Sequence, residues 1–166
     1  MATGRTPSKF FKFQIEDSTG ALRDVPVMTI NGVGITYEEQ NMTALQDALT
    51  SVLIGQGAVN ISISGPFDNT AAQAASASGA AAALSGSHTV LEPLNGGQTP
   101  RAFGIYIGIR TYWTTGDPCF GVNGATSTAG VTVSDYVVDI NNMTYSAKLA
   151  LYPGSVADWG TTDFTT

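Results

Sequence analysis

Apolar and polar positions alternate along most of this chain, which predicts a protein built mainly of β-strands. Residues 58–67 are the clearest example, because valine or isoleucine occupies every second position from 59 to 63 and asparagine or serine lies between them. Such a strand buries one face and exposes the other. Residues 101–113 alternate in the same way, but two glycines on one face predict a bend or a close contact there.

Further strands are predicted where apolar stretches are bounded by turn residues. They cover residues 9–16, 21–30, 34–39, 128–140 and 143–152, with an irregular strand at 88–94. The sequence Asp-Ser-Thr-Gly at 17–20 predicts a hairpin turn, and Asn141-Asn142 predicts a second tight turn. Residues 116–127, which are rich in glycine and polar residues, are predicted to form a loop.

Residues 70–84 consist almost entirely of alanine, serine and glycine, which provide too little apolar bulk to anchor a core. Alanine is the best helix former, and Asp68, Asn69 or Thr70 can cap a helix at its N-terminus. Gly86 can adopt the left-handed conformation that ends a helix. We therefore predict an α-helix over about residues 70–84 that lies flat on a sheet.

The segment 41–57 has a different pattern, because its apolar residues recur at helical spacing and Gly55 is placed to end a helix. The apolar residues are Met42, Leu45, Leu49, Val52 and Leu53. Periodicity alone therefore favours an amphipathic helix here.

These elements fit a single domain, because a chain of 166 residues buries one substantial core. We assign residues 1–8 to a flexible N-terminal arm, 9–152 to the domain, and 153–166 to a C-terminal tail that needs a partner to become ordered. The expected fold is mainly β: a β-sandwich or a rolled β-barrel flanked by the helix at 70–84. We find neither a signal peptide nor a membrane-spanning stretch, and expect a soluble protein made in the cytoplasm.

The composition shows that the chain has few charged residues. Charged residues make up 12% of the chain, about half the usual share. So few charges indicate that part of the surface is covered, and self-association is the simplest cover. The formal net charge of −6 argues against a protein that grips nucleic acid through its phosphates.

Residues suited to catalysis or metal binding are scarce. His88 is the only histidine, and no serine lies in a Gly-x-Ser-x-Gly sequence. Cys119 is the only cysteine, which excludes an internal disulfide and a paired-cysteine metal site. Three acidic residues within 16–24 are spread across a hairpin and are not spaced as in a calcium loop. We expect no enzyme activity, no cofactor and no metal.

Four aromatic residues leave a binding function open. Side chains of this type can stack on sugars, although they more often lie in a core or a subunit contact. The four are Tyr106, Tyr112, Trp113 and Trp159. A carbohydrate-binding β-sandwich is therefore one alternative interpretation.

Three short motifs follow one another between residues 11 and 72. The first is Asp-x-x-Gly-x-x-Arg-Asp, at Asp17, Gly20, Arg23 and Asp24. The second is Thr-x-Leu-x-Asp, at Thr43, Leu45 and Asp47. The third is Gly-x-Phe-Asp-x-Thr, at Gly65, Phe67, Asp68 and Thr70. In order and spacing they resemble the major tail protein, or tail tube protein, of long-tailed bacteriophages with non-contractile tails.

This resemblance implies a structural virion protein that forms stacked hexameric rings, which make the tube through which the genome leaves. It implies a long loop or arm over about residues 40–57, and we adopt the arm in place of the helix. The implied partners are further copies of the chain and other tail proteins, such as the tape measure, terminator and baseplate components. The implied location is the tail of the virion, assembled in the host cytoplasm without a membrane partner.

DNA would pass through such a tube without specific binding, because a negatively charged wall repels phosphates. We predict that the acidic residues facing this channel are Glu38, Glu39, Asp135 and Asp139. A second alternative is a capsid decoration protein or another β-domain of the virion, which would bind a preformed lattice and not polymerise by itself.

Overall fold

A six-stranded and a four-stranded β-sheet pack face to face in the computed structural model, which describes residues 10–43, 52–71, 83–108, 112–122 and 129–162. The strands are β1 (Phe11–Glu16), β2 (Leu22–Val25), β3 (Thr29–Asn31), β4 (Thr36–Asn41), β5 (Val52–Ala58), β6 (Asn60–Pro66), β7 (Ala83–Leu84), β8 (Phe103–Ile107), β9 (Cys119–Val122), β10 (Val131–Asp139), β11 (Thr144–Leu151) and β12 (Asp158–Gly160). Helix α1 (Ser87–Leu91) follows β7 and continues into a 3-10 turn at Glu92–Leu94.

The larger sheet has the strand order β12-β9-β8-β1-β2-β7, and the smaller one has the order β10-β11-β6-β3. Within these two sheets all described pairings are antiparallel except that of β2 with β7. Strands β4 and β5 pair only with each other and form a separate two-stranded ribbon. The fold is therefore the expected mainly β sandwich, with a ribbon in addition.

Alternating apolar side chains from both sheets build the core. Phe13, Ile15 and Phe120 come from the larger sheet, and Ile61 and Leu149 from the smaller one, and all are buried. The alternation read from residues 58–67 is thus confirmed, because Val59, Ile61 and Ile63 are buried whereas Asn60 and Ser62 are exposed. The hairpin predicted at 9–30 is confirmed in part: β1 pairs with β2, but residues 29–31 form β3, which pairs with β6 in the smaller sheet.

The prediction of an irregular strand at residues 88–94 is wrong. Those residues form most of α1 and the 3-10 turn that follows it, and Val90, Leu91 and Leu94 are buried in the core. Their spacing matches one face of a helix, and a helix buries all three side chains against the sandwich. The prediction of a loop at 116–127 is wrong for β9, because Phe120 and Val122 enter the core from between β8 and β12.

The helix predicted over about residues 70–84 lies mainly outside the described residues. At its two ends, Thr70 and Ala71 are not helical, and residues 83–84 form β7. Gly86 does not end a helix in the left-handed conformation; it has φ −61° and lies at the N-cap of α1.

The described parts of 41–57 exclude the amphipathic helix suggested by periodicity. Residues 52–58 form β5, which pairs with β4, and Gly55 lies inside that strand. Residues 44–51 lie outside the described residues, as does the N-terminal arm assigned to 1–8.

Residues 153–162 belong to the sandwich, whereas the sequence predicted a tail. Trp159 on β12 pairs with Phe120 on β9, and Ala157 is buried in the core. The Ser155 hydroxyl accepts a hydrogen bond of 2.8 Å from the Gly130 amide. These contacts tie residues 155–160 to the rest of the sandwich.

Two facing glycines bring β8 and β9 close together. Gly104 pairs with Gly121, and a Cβ atom on Gly121 would lie 2.3 Å from the carbonyl oxygen of Phe103. A Cβ atom on Gly104 would lie 2.7 Å from the ring of Tyr106. The close contact predicted for this face is therefore present at Gly104.

The substitution Gly121→Ala is expected to lower the free energy of unfolding by about 1 to 3 kcal/mol, because the added methyl group must push two paired strands apart. Urea unfolding followed by tryptophan fluorescence measures this change, with Ser146→Ala on the exposed face of β11 as a control. Equal stability of Gly121→Ala and the unmodified protein would contradict the close packing of β8 on β9.

Candidate assembly surfaces

The β4–β5 ribbon carries apolar side chains that the rest of the described chain does not cover. Leu53 is 51% exposed and Ile54 is 67% exposed. Tyr37, Met42 and Val52 are also exposed large apolar residues. The alternation of the strands places Leu53 on one face of the ribbon and Ile54 on the other. A ribbon that exposes apolar side chains on both faces, opposite polar ones such as Glu39 and Gln40, is a surface suited to contact with another protein.

The smaller sheet ends on β10, whose outer edge is covered only in its first half. The Arg101 amide donates to the Val131 carbonyl at 2.9 Å, and the Gly96 amide donates to the Val133 carbonyl at 3.0 Å. Beyond Tyr136, the strand has no further strand beside it among the described residues. The opposite edge of the same sheet is the three-residue strand β3. Open edges of this kind can pair with strands of another chain.

A β-bulge in β10 changes which side chains face the core. The register of β10 against β11 shifts between Ser134 and Val137, and Asp135 has a φ of 52°. Val131 and Val133 are buried before the bulge, whereas Tyr136 packs against the core after it. Asp135 therefore faces outward, although strict alternation from Val133 would have directed it inward.

The outward face of the smaller sheet is rich in hydroxyl and amide groups. These polar side chains are Thr29, Asn31, Asn60, Ser62, Ser64, Thr132, Ser134 and Ser146. The same face carries Asp135, Asp139 and Lys148, and the Lys148 ammonium lies 2.8 Å from the Asp135 carboxylate. Asp135 raises the pKa of Lys148 through this hydrogen bond and its charge.

Asp139 lies where β10 turns into β11. Its carboxylate accepts hydrogen bonds from the Asn141 amide at 3.0 Å and from the Asn142 side chain at 2.7 Å. The hydrogen bonds from Asn142 lower the pKa of Asp139. The turn predicted at Asn141-Asn142 is therefore present, and Asp139 stabilises it.

The four predicted channel acids do not lie together on one element. Asp135 and Asp139 are on the exposed face of the smaller sheet, whereas Glu38 and Glu39 are on the separate ribbon. All four are exposed.

The first motif forms the β1–β2 turn. The Asp17 carboxylate accepts hydrogen bonds from the Thr19 amide at 2.8 Å, the Ala21 amide at 3.0 Å and Arg23 Nε at 2.8 Å. Gly20 has the positive φ of 84° that the turn requires. Burial raises the pKa of Asp17, but the hydrogen bonds from Thr19, Arg23 and Ala21 outweigh it and the pKa is lowered. Asp24, the last motif position, lies on β2, 3.8 Å from the Lys12 ammonium.

The third motif connects β6 to α1. Asp68 accepts hydrogen bonds from the Thr70 amide at 2.8 Å and the Thr70 hydroxyl at 2.6 Å, and these lower its pKa. The Asp68 carbonyl accepts from the His88 amide, and the Phe67 ring packs on the His88 ring. Gly65 passes so close to Pro26 that a Cβ atom there would lie 2.7 Å from its carbonyl oxygen.

The motif residues that the structure describes therefore hold the fold and form no reaction centre. Of the second motif only Thr43 is described, and its amide donates to the Asn41 side chain at 2.9 Å. Leu45 and Asp47 lie outside the described residues.

The four aromatic residues considered for sugar binding do not form one platform. Tyr106 is buried, and Trp113 packs edge-on against it at 4.9 Å between ring centroids. Trp159 instead packs on Phe120, whose side chain points to the opposite side of the sheet from Tyr106. Trp113 and Tyr112 are among the residues that line an open groove of about 510 Å³, together with Phe11, Pro26 and Met28.

None of the helices in the described residues is long and apolar enough to cross a membrane. No group of three histidine, cysteine or acidic residues is placed to hold a metal ion in the described ranges.

Comparison with known proteins gives likenesses of structure only. No family model matches the sequence, and no curated protein matches it. Among solved structures, the cap that terminates the tube of the anti-feeding prophage is similar, with a TM-score of 0.51 and 13% identity, over 98% of this chain and 95% of that one.

A second similar structure is the sheath/tube terminator of an extracellular contractile injection system, PVC, in its extended state. It matches with a TM-score of 0.51 and 12% identity over 96% of this chain and 99% of that one. At these identities the likeness establishes the fold. This chain has, over nearly its whole length, the fold of proteins found at the ends of injection-system tubes.

Proposed function

We propose that this chain is a structural protein of a phage-like tail, which joins with identical copies into rings that stack as a hollow tube for DNA. The observation that carries the proposal is the β4–β5 ribbon, whose apolar side chains are exposed on both faces. The fold it shares with a tube cap and a tube terminator supports a structural role in such a tail. The resemblance to tail tube proteins implies that each ring contains six copies.

Within a ring, we propose that the open half of β10 meets the β3 edge of the next copy. Both strands are edges of the same sheet, so each copy would offer two different edges and the contact would be head-to-tail. Such contacts close when the rotation between copies completes a ring. Closure leaves no edge free to pair with unrelated strands.

The smaller sheet then faces the channel. Its other face packs on the larger sheet, so the bulk of the domain lies on one side of it. When copies join through the edges of this sheet, the ring has its smallest diameter if the smaller sheets line the inside and the larger sheets lie outside. The polar face with Asp135 and Asp139 would line the channel, whereas Glu38 and Glu39 would lie with the ribbon at the contact between rings.

The ribbon would reach the neighbouring ring in the stack. Burial of a Leu or Ile side chain there contributes about 1.5 to 3 kcal/mol, which is enough to hold rings together when several copies act at once.

The tape measure, terminator and baseplate proteins would be further partners, in a tail assembled in the host cytoplasm. The role is structural, without enzyme activity or a cofactor.

A second candidate is a terminator that closes the end of a tube as a single ring. The similar structures favour it, since one is a cap and the other a terminator. Such a protein would use one ring face for the tube and leave the other unable to add a further ring.

Electron microscopy and sedimentation of the concentrated protein distinguish these candidates. Tubes of indefinite length are the expected result for a repeating tube protein, and discrete rings would identify a terminator. A protein that stays monomeric at high concentration would contradict both and favour a decoration protein that binds a preformed lattice.

A further inference from the structure

Lys148 is the only lysine or arginine on the outward face of the smaller sheet among the described residues. It lies in the middle of β11, opposite Ser134 on β10 and opposite Ser62 on β6. The side chains beside it on both neighbouring strands are therefore neutral. Among the described residues, the carboxylate that pairs with its ammonium is that of Asp135, at 2.8 Å.

The β-bulge in β10 brings that carboxylate to Lys148. Because the register shifts between Ser134 and Val137, Asp135 stands on the outward face next to the position opposite Lys148. Asp135 adopts a φ of 52°, a conformation that carries a cost for any residue other than glycine. The chain therefore departs from regular strand geometry at the point where the lysine is neutralised.

Stability alone does not explain this arrangement. The Lys148 side chain is 64% exposed and that of Asp135 is 61% exposed. Exposed ion pairs contribute little to folding, because water screens them on both sides. Their effect on a charged molecule that passes close to the face is larger, since a free ammonium attracts phosphates and displaces counterions from DNA.

We propose that the Asp135–Lys148 pair neutralises the one cation that the described residues place on the channel wall and thereby prevents duplex DNA from adhering to it. This inference rests on the tube function proposed above. With the pair intact, the described wall carries one further charge per subunit, that of Asp139, and it is negative. Without Asp135, each ring would present a circle of free ammonium groups to the DNA.

The test uses assembled tubes and a short fluorescent DNA duplex, with DNA retention measured by co-sedimentation at NaCl concentrations between about 50 and 200 mM. Tubes of Asp135→Asn are expected to retain about tenfold more DNA than unmodified tubes at the lowest salt, and to release it as salt rises. Tubes of Lys148→Gln, and of the double variant, are expected to retain no more than unmodified tubes.

A second variant keeps the test independent of the bulge. Ser146→Lys adds a second cation to the same face, two residues from Lys148, and is also expected to retain DNA. If tubes of Asp135→Asn or Ser146→Lys form normally but hold no more DNA than unmodified tubes, the inference is wrong while the tube function stands. If the unmodified protein forms no tubes, the proposed function fails, and this inference fails with it.

Discussion

The double variant Leu53→Asp with Ile54→Asp is expected to abolish ring stacking while the monomer stays folded. The two side chains lie on opposite faces of the ribbon and are more than half exposed, so their replacement leaves the core untouched. Loss of two buried apolar contacts per subunit removes about 3 to 6 kcal/mol from each contact between rings. The protein concentration needed for assembly should therefore rise by about 100-fold or more.

Light scattering against protein concentration measures this threshold, and thermal unfolding of the monomer checks the fold. Val156→Asp is the matched control, because Val156 is an equally exposed apolar residue outside the ribbon. It should assemble as the unmodified protein does. Normal tubes from the double variant would show that the ribbon makes no contact between rings.

The substitution Asp17→Ala is expected to lower the free energy of unfolding by about 2 to 4 kcal/mol. It removes a largely buried carboxylate that holds the β1–β2 turn through Thr19, Ala21 and Arg23. For a domain of this size the melting temperature should fall by about 5 to 15 °C. Calorimetry measures the change, with Asp158→Ala on the exposed strand β12 as a control.

The stabilisation that Asp17 provides is expected to depend on pH. The pKa of Asp17 is lowered in the folded protein, so its stabilisation is complete above the pKa of the unfolded chain, about 4, and is lost as pH falls through the folded value. The stability difference between Asp17→Ala and the unmodified protein should therefore shrink below about pH 4. A difference that stays constant down to pH 2 would show that the charge on Asp17 does not hold the turn.

Where one face of a strand is buried, the sequence was sufficient to predict the element. The alternation at Val59, Ile61 and Ile63 survives in the fold because the core accepts every second side chain. The turn at the first motif was predictable for a similar reason, since Asp17 hydrogen-bonds to groups two to six residues away, whereas Asp68, expected at a helix N-terminus, instead bonds to the non-helical Thr70. Local hydrogen bonds of this kind need little from the rest of the chain.

Where the spacing of apolar residues fitted both a helix and a strand, the local pattern was not sufficient to predict the element. The apolar residues of 41–57 fit a helix, yet β5 pairs with β4 across a separation that no local pattern encodes. Residues 88–94 show the reverse, because Val90, Leu91 and Leu94 form a helical face only once the sandwich offers a surface to cover. Strand β9 was not predicted because it has only four residues and is buried on both faces, between two neighbouring strands, so it shows no alternation.

The sequence by itself determined a mainly β, lightly charged domain with Asp135 and Lys148 thirteen positions apart and no sign that they meet. Only the tertiary structure decided which surfaces stay open: the apolar ribbon, the half-covered β10 edge and the polar face on which the bulge joins that acid to that lysine. The physical reason is that alternation specifies which side chains share a face. Strand register across the sheet, with its single shift at the bulge, specifies which of those faces and charges come together.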